Sequence, residues 1–232
     1  MAKKRDTGNW KEYIAQNAEP PKIDSLWIRE LDDTVRSIPR AHVRSIFEIG
    51  CSAGRILMWM RKIFPRASLH GIDIEDAGRS ILRKRRIAFR VADARNIPHP
   101  DGAFDLTLSM GVIEHFSTRA ERQRLIEEQY RVTAPGGYVF LTTPALTRWS
   151  IMYWYTKIID DRRHDYKHYA VSRAEVVRVL RRAGATIERA KYVGWFFEPK
   201  GVPVLWQTPF TSQVMLVLAR KPAQKVVKKR RR

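Results

Sequence analysis

Small residues and acidic residues stand where two apolar segments of the sequence end. The segment Val43–Ile49 runs into a loop that reads Glu-Ile-Gly-Cys-Ser-Ala-Gly from Glu48 to Gly54, and a second apolar segment ends at Asp73. Small residues let a backbone turn tightly and approach a ligand. A carboxylate 19 positions after the last glycine is placed to accept hydrogen bonds from ribose hydroxyls. Either feature alone has a structural explanation, as a tight turn or a helix cap, but their combination favours nucleoside binding.

Two further strand-like segments lead to residues with similar potential. Ile87–Val91 is followed by Asp93, whose carboxylate is suited to accept a hydrogen bond from an adenine amino group. Phe104–Ser109 opens into the segment from Met110 to His115. The carboxyl ends of parallel strands meet at one edge of a sheet, where open α/β folds bind ligands. We therefore expect all these residues to share one site.

The elements that must position these residues alternate between strand-like and helix-like segments, which predicts a parallel sheet with helices on both faces. A helix over residues 23–38 is predicted from its apolar spacing. Thr118 and Ser172, each followed three positions later by Glu, predict capping boxes at two later helices. We divide the chain into a polar lead-in (1–22), one domain (23–220) with substrate-side insertions at about 144–170 and 194–210, and a basic tail (221–232) expected to be disordered.

Four ordered segments carry a specific family resemblance, and they read FEIGCSAGR, GIDIE, VADARNIPHPDGAFDLTLSMGVIEHF and RVTAPGGYVFLTTP. The sequence resembles the class I S-adenosylmethionine (SAM)-dependent methyltransferases, specifically the type 11 group related to the C-methyltransferases of ubiquinone and menaquinone biosynthesis. The resemblance implies a Rossmann-like α/β fold, with a seven-stranded, mostly parallel sheet, one antiparallel strand and helices on both faces. The family's loop commonly reads Gly-x-Gly-x-Gly. Ser52 occupies the middle position here and is small enough to keep the close approach.

The same resemblance implies SAM as the cofactor and assigns residues to it. The methionine moiety would contact the loop residues Glu48, Gly50, Cys51, Ser52 and Gly54, with Met110 beneath it. Asp73 would hold the ribose, Ile74 would lie against the adenine, and Asp93 and Ala94 would bind the adenine edge. A dinucleotide is the alternative cofactor for this fold, but the loop lacks the G-x-G-x-x-G spacing.

Two histidines are candidates for a general base. The methyl group of SAM is already activated, so a base helps only where the acceptor must lose a proton. His115 follows the fourth strand near the expected reactive end of the cofactor, with Glu114 beside it. His168 and Tyr169 stand where related enzymes carry a histidine and an aromatic residue. The alternatives are a structural hydrogen bond at His115 and a polar loop packed over the sheet edge at His168.

Aromatic residues are concentrated in the two insertions. Trp149, Tyr153 and Trp195 are candidates for an apolar lid on the substrate side, where Glu114 and Tyr169 are also expected. Such a lid favours a small aromatic or lipophilic acceptor, methylated on an oxygen, nitrogen or carbon atom and reached in solution or at an anionic membrane surface. The alternative is that these aromatic side chains are simply buried in the core.

Positive charge is spread over the fold as well as the tail. The 232 residues include 44 Lys and Arg against 24 Asp and Glu, which gives a net charge of +20. This surplus attracts nucleic acid, acidic membranes or phosphorylated substrates, although a well-solvated surface explains it equally. The alternative function is therefore a methyltransferase or binding protein that acts on nucleic acid through its basic surface. The absence of an Asn/Asp-Pro-Pro-Tyr motif after the fourth strand disfavours methylation of exocyclic amines of bases.

Other function classes are disfavoured by single observations. Cys51 is the only cysteine, which excludes a disulfide framework or a Cys-rich zinc site, and no metal is expected. Its position in the cofactor loop also argues against the covalent attack that cytosine C5 methylation needs. Asp73 and Asp93 argue against a fold kept only as an interaction scaffold. The sequence shows no signal peptide or membrane-spanning stretch, so we expect a cytoplasmic protein, with peripheral membrane contact as the alternative.

Overall fold

The computed structural model describes residues 26–145, 154, 158, 168–193 and 214–223. The candidate lid residues Trp149, Tyr153 and Trp195 lie outside these ranges, as do the predicted lead-in and most of the basic tail. None of the helices in the described ranges is long and apolar enough to cross a membrane. The α-helices in the described ranges include α1 (Leu26–Arg36), α2 (Arg55–Ile63), α3 (Arg79–Lys84), α4 (Arg119–Val132) and α5 (Arg173–Arg182).

The strands form one seven-stranded sheet in the order β3-β2-β1-β4-β5-β7-β6. Their bounds are β1 (Ser45–Ile49), β2 (Ser68–Asp73), β3 (Ala88–Val91), β4 (Phe104–Met110), β5 (Thr133–Pro144), β6 (Thr186–Val193) and β7 (Val214–Arg220). β7 runs antiparallel to both of its neighbours, whereas β1 to β5 pair in parallel. The predicted fold class is confirmed, including the single antiparallel strand.

Alternate side chains of the central strands face opposite layers of helices, as the period of a pleated strand requires. Ile46, Leu108 and Phe140 pack in one core cluster with residues of α1, α2 and α3. Phe47, Ile49 and Leu141 pack in a second cluster with residues of α4 and α5. Because both faces are covered, the part of the sheet that remains for a ligand is the edge formed by the carboxyl ends of its strands.

The two predicted capping boxes have different outcomes. At α4, the Thr118 hydroxyl accepts from the Glu121 backbone N–H, and the Glu121 carboxylate accepts from the Thr118 backbone N–H, which confirms the box. At α5 only half of the box forms. The Ser172 hydroxyl accepts from the Glu175 N–H, but the Glu175 carboxylate turns to Arg122 on α4. The second prediction was therefore half right, because a partner on another helix outcompetes the local one.

Helix α1 is fixed across the sheet face by polar contacts at its buried side. The Trp59 indole Nε1 donates to the Asp32 carboxylate at 3.0 Å, and Glu30 forms an ion pair with Lys191 on β6. The helix begins at Leu26 and ends at Arg36, within the predicted range of 23–38. It packs against the edge strand β6 and its neighbour β7.

Candidate functional site

The loop after β1 crosses onto the end of β2. The backbone N–H groups of Gly50 and Cys51 both donate to the Ile72 carbonyl, at 2.8 and 3.0 Å. Gly50 has a φ of +71°, and a Cβ added there would lie 2.5 Å from the Val112 side chain. Glycine is therefore required at this position, both for its backbone conformation and for the space it leaves.

The Asp73 carboxylate fastens this loop to the strand end. One carboxylate oxygen accepts from the Ser52 backbone N–H at 2.8 Å, and the other accepts from the Glu75 N–H at 3.1 Å. Ser52 has a φ of +48°, in the left-handed region that favours glycine. Serine therefore adopts here a backbone conformation that glycine reaches more easily. Burial raises the pKa of Asp73 despite these hydrogen bonds.

Glu48 adds a second acidic group beneath the loop. It is only 2% exposed, and its Oε2 atom is buried without a hydrogen-bond partner in the described part of the chain. Burial, and secondly the nearby charge of Asp73, raise the pKa of Glu48 well above its usual range. A cationic group bound here would supply the missing donor and the missing countercharge. The sequence pattern pointed to Glu48, but nothing in it indicated that one of its carboxylate oxygens lacks a hydrogen-bond partner among the described residues.

Two exposed apolar side chains flank Asp73 at the sheet edge. Ile74 is 50% exposed and Val91, the register partner of Asp73 on β3, is 47% exposed. Exposed apolar side chains beside a carboxylate suit a planar base attached to a ribose, since the base packs while the ribose is held by hydrogen bonds. Ile74 is the residue predicted to lie against adenine. Val91 was not singled out from the sequence, although the register of β3 places it there.

Asp93 lies at the same edge, in a tight ion pair that the sequence did not indicate. Its carboxylate accepts from the backbone N–H and the guanidinium of Arg95, with the shortest contact at 2.5 Å. Arg95 also donates to Glu121 at 2.6 Å, and these interactions raise its pKa. Ala94 is buried, and Met110 is half-buried at the end of β4. Asp93 is thereby held in one orientation at the position predicted for the adenine edge.

The two candidate base residues lie close together, His115 shortly after β4 and His168 shortly before α5. The rings of His115 and His168 lie 5.0 Å apart between centroids, although 53 positions separate them in the sequence. The Tyr169 backbone N–H donates to the Glu114 carbonyl at 2.7 Å, which joins the segment before α5 to the end of β4. The structure thus brings together the two histidines and the two substrate-side residues Glu114 and Tyr169.

Glu114 is the acidic residue of this group, and its pKa is raised. Its side chain is 2% exposed, and one carboxylate oxygen accepts from the Thr143 hydroxyl at 3.0 Å. Burial raises the pKa of Glu114 to about 7. A carboxyl group with such a pKa exchanges its proton near neutral pH, which is the property that a proton-transfer site needs. Cys51, by contrast, is buried with its pKa raised well above the usual range, so it is not an activated nucleophile.

Comparison with known proteins agrees with this geometry. Residues 47–141, which run from β1 into β5, match the family model of a methyltransferase domain. This stretch is therefore assigned to the methyltransferase-domain family. Over 91% of the chain, the fold is similar to that of a SAM-dependent methyltransferase of Aquifex aeolicus, with a TM-score of 0.61, 16% identity and 98% of that chain covered.

Curated relatives of this methyltransferase domain have diverse names. The chain is 38% identical over 96 residues to a probable tRNA methyltransferase 9B of Mus musculus, which covers 41% of this chain and 21% of the relative. It is 30% identical over 121 residues to a fatty-acid O-methyltransferase of Mycolicibacterium smegmatis, which covers 50% of this chain and 43% of the relative. The chain therefore spans less than half the length of either relative.

The residues at the sheet edge fit SAM by their chemistry. The methionine moiety of SAM carries an ammonium and a sulfonium, and the adenosine moiety carries two ribose hydroxyls. Glu48 offers a buried carboxylate oxygen that no described residue satisfies, and Asp73 offers a carboxylate at the tip of the neighbouring strand. The assignment of individual residues to parts of the cofactor stays a prediction, which the binding experiments below address.

Proposed function

We propose that the chain transfers the methyl group of SAM to an oxygen, nitrogen or carbon nucleophile of a small aromatic or lipophilic molecule. The observation that carries this proposal is a pair of acids, the buried Glu48 and the half-buried Asp73, at the sheet edge of a chain with a net charge of +20. Acidic groups so placed complement a cationic cofactor. SAM supplies an electrophilic methyl group, so the chain has to orient the acceptor and exclude water.

The histidine pair supports an acceptor that loses a proton during transfer. His168 is 8% exposed and lies against His115, and Glu114 with its raised pKa belongs to the same segment. We assign His115 and His168 as the candidate bases. This arrangement suits a hydroxyl, an amine or an activated carbon acid, each of which must release a proton.

Exposed apolar residues in the first insertion support a lipophilic acceptor. Trp154 is 57% exposed and Ile158 is 52% exposed, and both lie within the segment predicted to cover the substrate. A fatty-acid O-methyltransferase among the relatives is in keeping with this class of acceptor. The second candidate is a nucleoside within RNA, which is favoured by the net charge and by the relative named as a probable tRNA methyltransferase.

One labelling experiment tests the proposal and separates the two acceptors. The purified chain is incubated with methyl-labelled SAM and, in parallel, with a small-molecule extract and with total RNA from its native cells. Label in an organic-soluble compound supports the first acceptor class. Label in RNA would instead support a nucleoside within RNA as the acceptor. No transfer to either pool, from a chain that binds SAM in calorimetry, overturns methyl transfer to both acceptor classes.

The role of the histidines has its own test once an acceptor is found. Substitution His115→Asn should lower kcat by about 100-fold while SAM affinity stays unchanged, because a positioned base contributes roughly 100- to 10,000-fold. His168→Asn provides the matched comparison on the other ring. An unchanged kcat and pH profile in both variants would show that these rings are structural.

A further inference from the structure

The outer surface of α5 and the edge strand β6 form an open groove that the proposed methyl transfer does not use. Its rim carries four exposed arginines, Arg173, Arg178, Arg181 and Arg182. The rest of its lining is apolar and consists of Ala174, Val177, Ile187 and Ala190. The arginines recur along the length of the helix, so positive charge extends along the groove rather than being confined to a single point.

Three of these arginines have no acidic partner within the part of the chain that the structure describes. No carboxylate there lies within ion-pair distance of Arg178, Arg181 or Arg182. The carboxylate that α5 itself contributes, Glu175, is taken up by Arg122. The remaining arginine, Arg173, is held at one end of the groove, where it donates to the Ala190 carbonyl. The guanidinium groups of the other three are left to bind an external anion.

The groove leads towards the candidate active site. Residue 173 follows Tyr169 closely, and the Tyr169 N–H is bonded to the Glu114 carbonyl. Because β6 is antiparallel to β7 and β7 is antiparallel to β5, the end of β6 near Tyr192 lies at the same sheet edge as the end of β4. From Arg173 to Arg182 the helix rises roughly 13 Å. An extended ligand lying in the groove would therefore reach the edge where the cofactor residues gather.

We propose that this arginine groove binds the phosphodiester backbone of single-stranded RNA. Guanidinium groups form forked hydrogen bonds with phosphate oxygens, and a row of them along a helix can follow a chain of phosphates. The concave shape favours a strand over a membrane, because a flat anionic surface contacts a convex or planar face more fully. The proposal goes beyond methyl transfer and holds whichever acceptor is methylated.

The test compares two charge-matched variants of the full chain. Substitutions Arg178→Glu and Arg181→Glu are made together, and the control combines Arg83→Glu with Lys84→Glu, which are exposed on α3. Both variants lose the same charge. Fluorescence anisotropy with a short labelled single-stranded RNA of mixed sequence gives the affinity at several salt concentrations, and circular dichroism checks that each variant is folded.

The groove variant should bind RNA at least about tenfold more weakly than the control variant. Its plot of log affinity against log salt concentration should be shallower by roughly 1.4, since each lost single-strand phosphate contact reduces the slope by about 0.7. Equal weakening of both variants would show a diffuse basic field and overturn the groove. Wild-type RNA affinity in the groove variant would also overturn the proposal.

A third variant keeps this proposal separate from the cofactor assignment. Asp73→Ala should lose SAM binding and keep its RNA affinity, because Asp73 lies outside the groove. Loss of RNA affinity in the folded Asp73→Ala chain would tie RNA binding to the cofactor site and overturn the groove. Unchanged SAM affinity in that variant contradicts only the cofactor assignment, and the comparison of the two charge-matched variants still decides the groove.

A membrane is the other extended anionic surface that the test must distinguish. Vesicles of equal parts phosphatidylglycerol and phosphatidylcholine provide the probe. Binding to these vesicles that depends on Arg178 and Arg181, without binding to RNA, would replace the strand by a membrane surface. Binding to RNA but not to vesicles supports the groove as proposed.

Discussion

The Asp73 carboxylate accepts a hydrogen bond from the backbone N–H of Ser52 over 2.8 Å, across 21 positions of sequence. The carboxylate therefore holds the cofactor loop in place as well as standing at the predicted ribose position. We therefore expect a substitution at Asp73 to act on the loop and on cofactor binding together.

The first prediction is that Asp73→Ala abolishes measurable SAM binding in calorimetry and leaves the chain folded. Loss of the hydrogen bonds to Ser52 and Glu75 should lower the free energy of unfolding by about 2 kcal/mol, because a hydrogen bond to a charged group contributes roughly 1.5–3 kcal/mol and water replaces part of it. Asp76→Ala is the control, since Asp76 forms an exposed ion pair with Arg79. Unchanged SAM affinity in Asp73→Ala would remove Asp73 from the cofactor site.

The second prediction concerns the left-handed backbone at Ser52. Substitution by valine should lower the free energy of unfolding by about 2 kcal/mol, because a β-branched residue is strained at a φ of +48°. Substitution by glycine should change it by less than about 1 kcal/mol, since relief of strain is offset by greater freedom of the unfolded chain. Urea unfolding measures both. Ser68→Val, in an extended strand, is the control, and equal effects of valine at both positions would refute the strain.

Much of the site's framework was predictable, because hydrophobic periodicity locates strands and their carboxyl ends share an edge. The position of Asp73 opposite the loop followed from spacing alone. The ion-pair partners of the acidic residues could not be predicted in this way. Asp93 is held by Arg95, and Glu175 leaves Ser172 for Arg122, 53 positions away. Such choices depend on which side chains the folded chain brings within reach, which local patterns do not specify.

The third prediction is a pH dependence of stability that comes from Glu114. Its pKa is about 7 in the folded chain against 4.5 when exposed, so the folded chain binds the proton more tightly. The stabilisation is complete below about pH 4.5 and is lost as the pH rises through about 7, with a magnitude on the order of 3 kcal/mol. Glu114→Gln should therefore flatten the stability profile between about pH 5 and 8. Glu127→Gln, at a half-buried position on α4, should leave the profile unchanged, and parallel profiles in all three proteins would contradict the assignment.

The fourth prediction concerns the buried ion pair that joins α4 to α5. The Arg122 Nε atom lies 2.7 Å from the Glu175 carboxylate, and the two side chains are 7% and 11% exposed. Arg122→Ala leaves a buried carboxylate without its partner and should lower the free energy of unfolding by about 3 kcal/mol. Urea unfolding of the variant beside the wild-type chain measures this loss.

A double-mutant cycle with Glu175→Ala separates this pair from the other contacts of Arg122, which also donates to the Phe116 carbonyl. We expect a coupling energy of about 2 kcal/mol, against less than about 1 kcal/mol for the exposed pair Arg79 and Asp76. Equal coupling in the two cycles would mean that solvent screens the buried pair as it screens the surface one. The association of α4 with α5 would then be stabilised by apolar packing of residues such as Leu125 and Val176, which lie in the same core cluster.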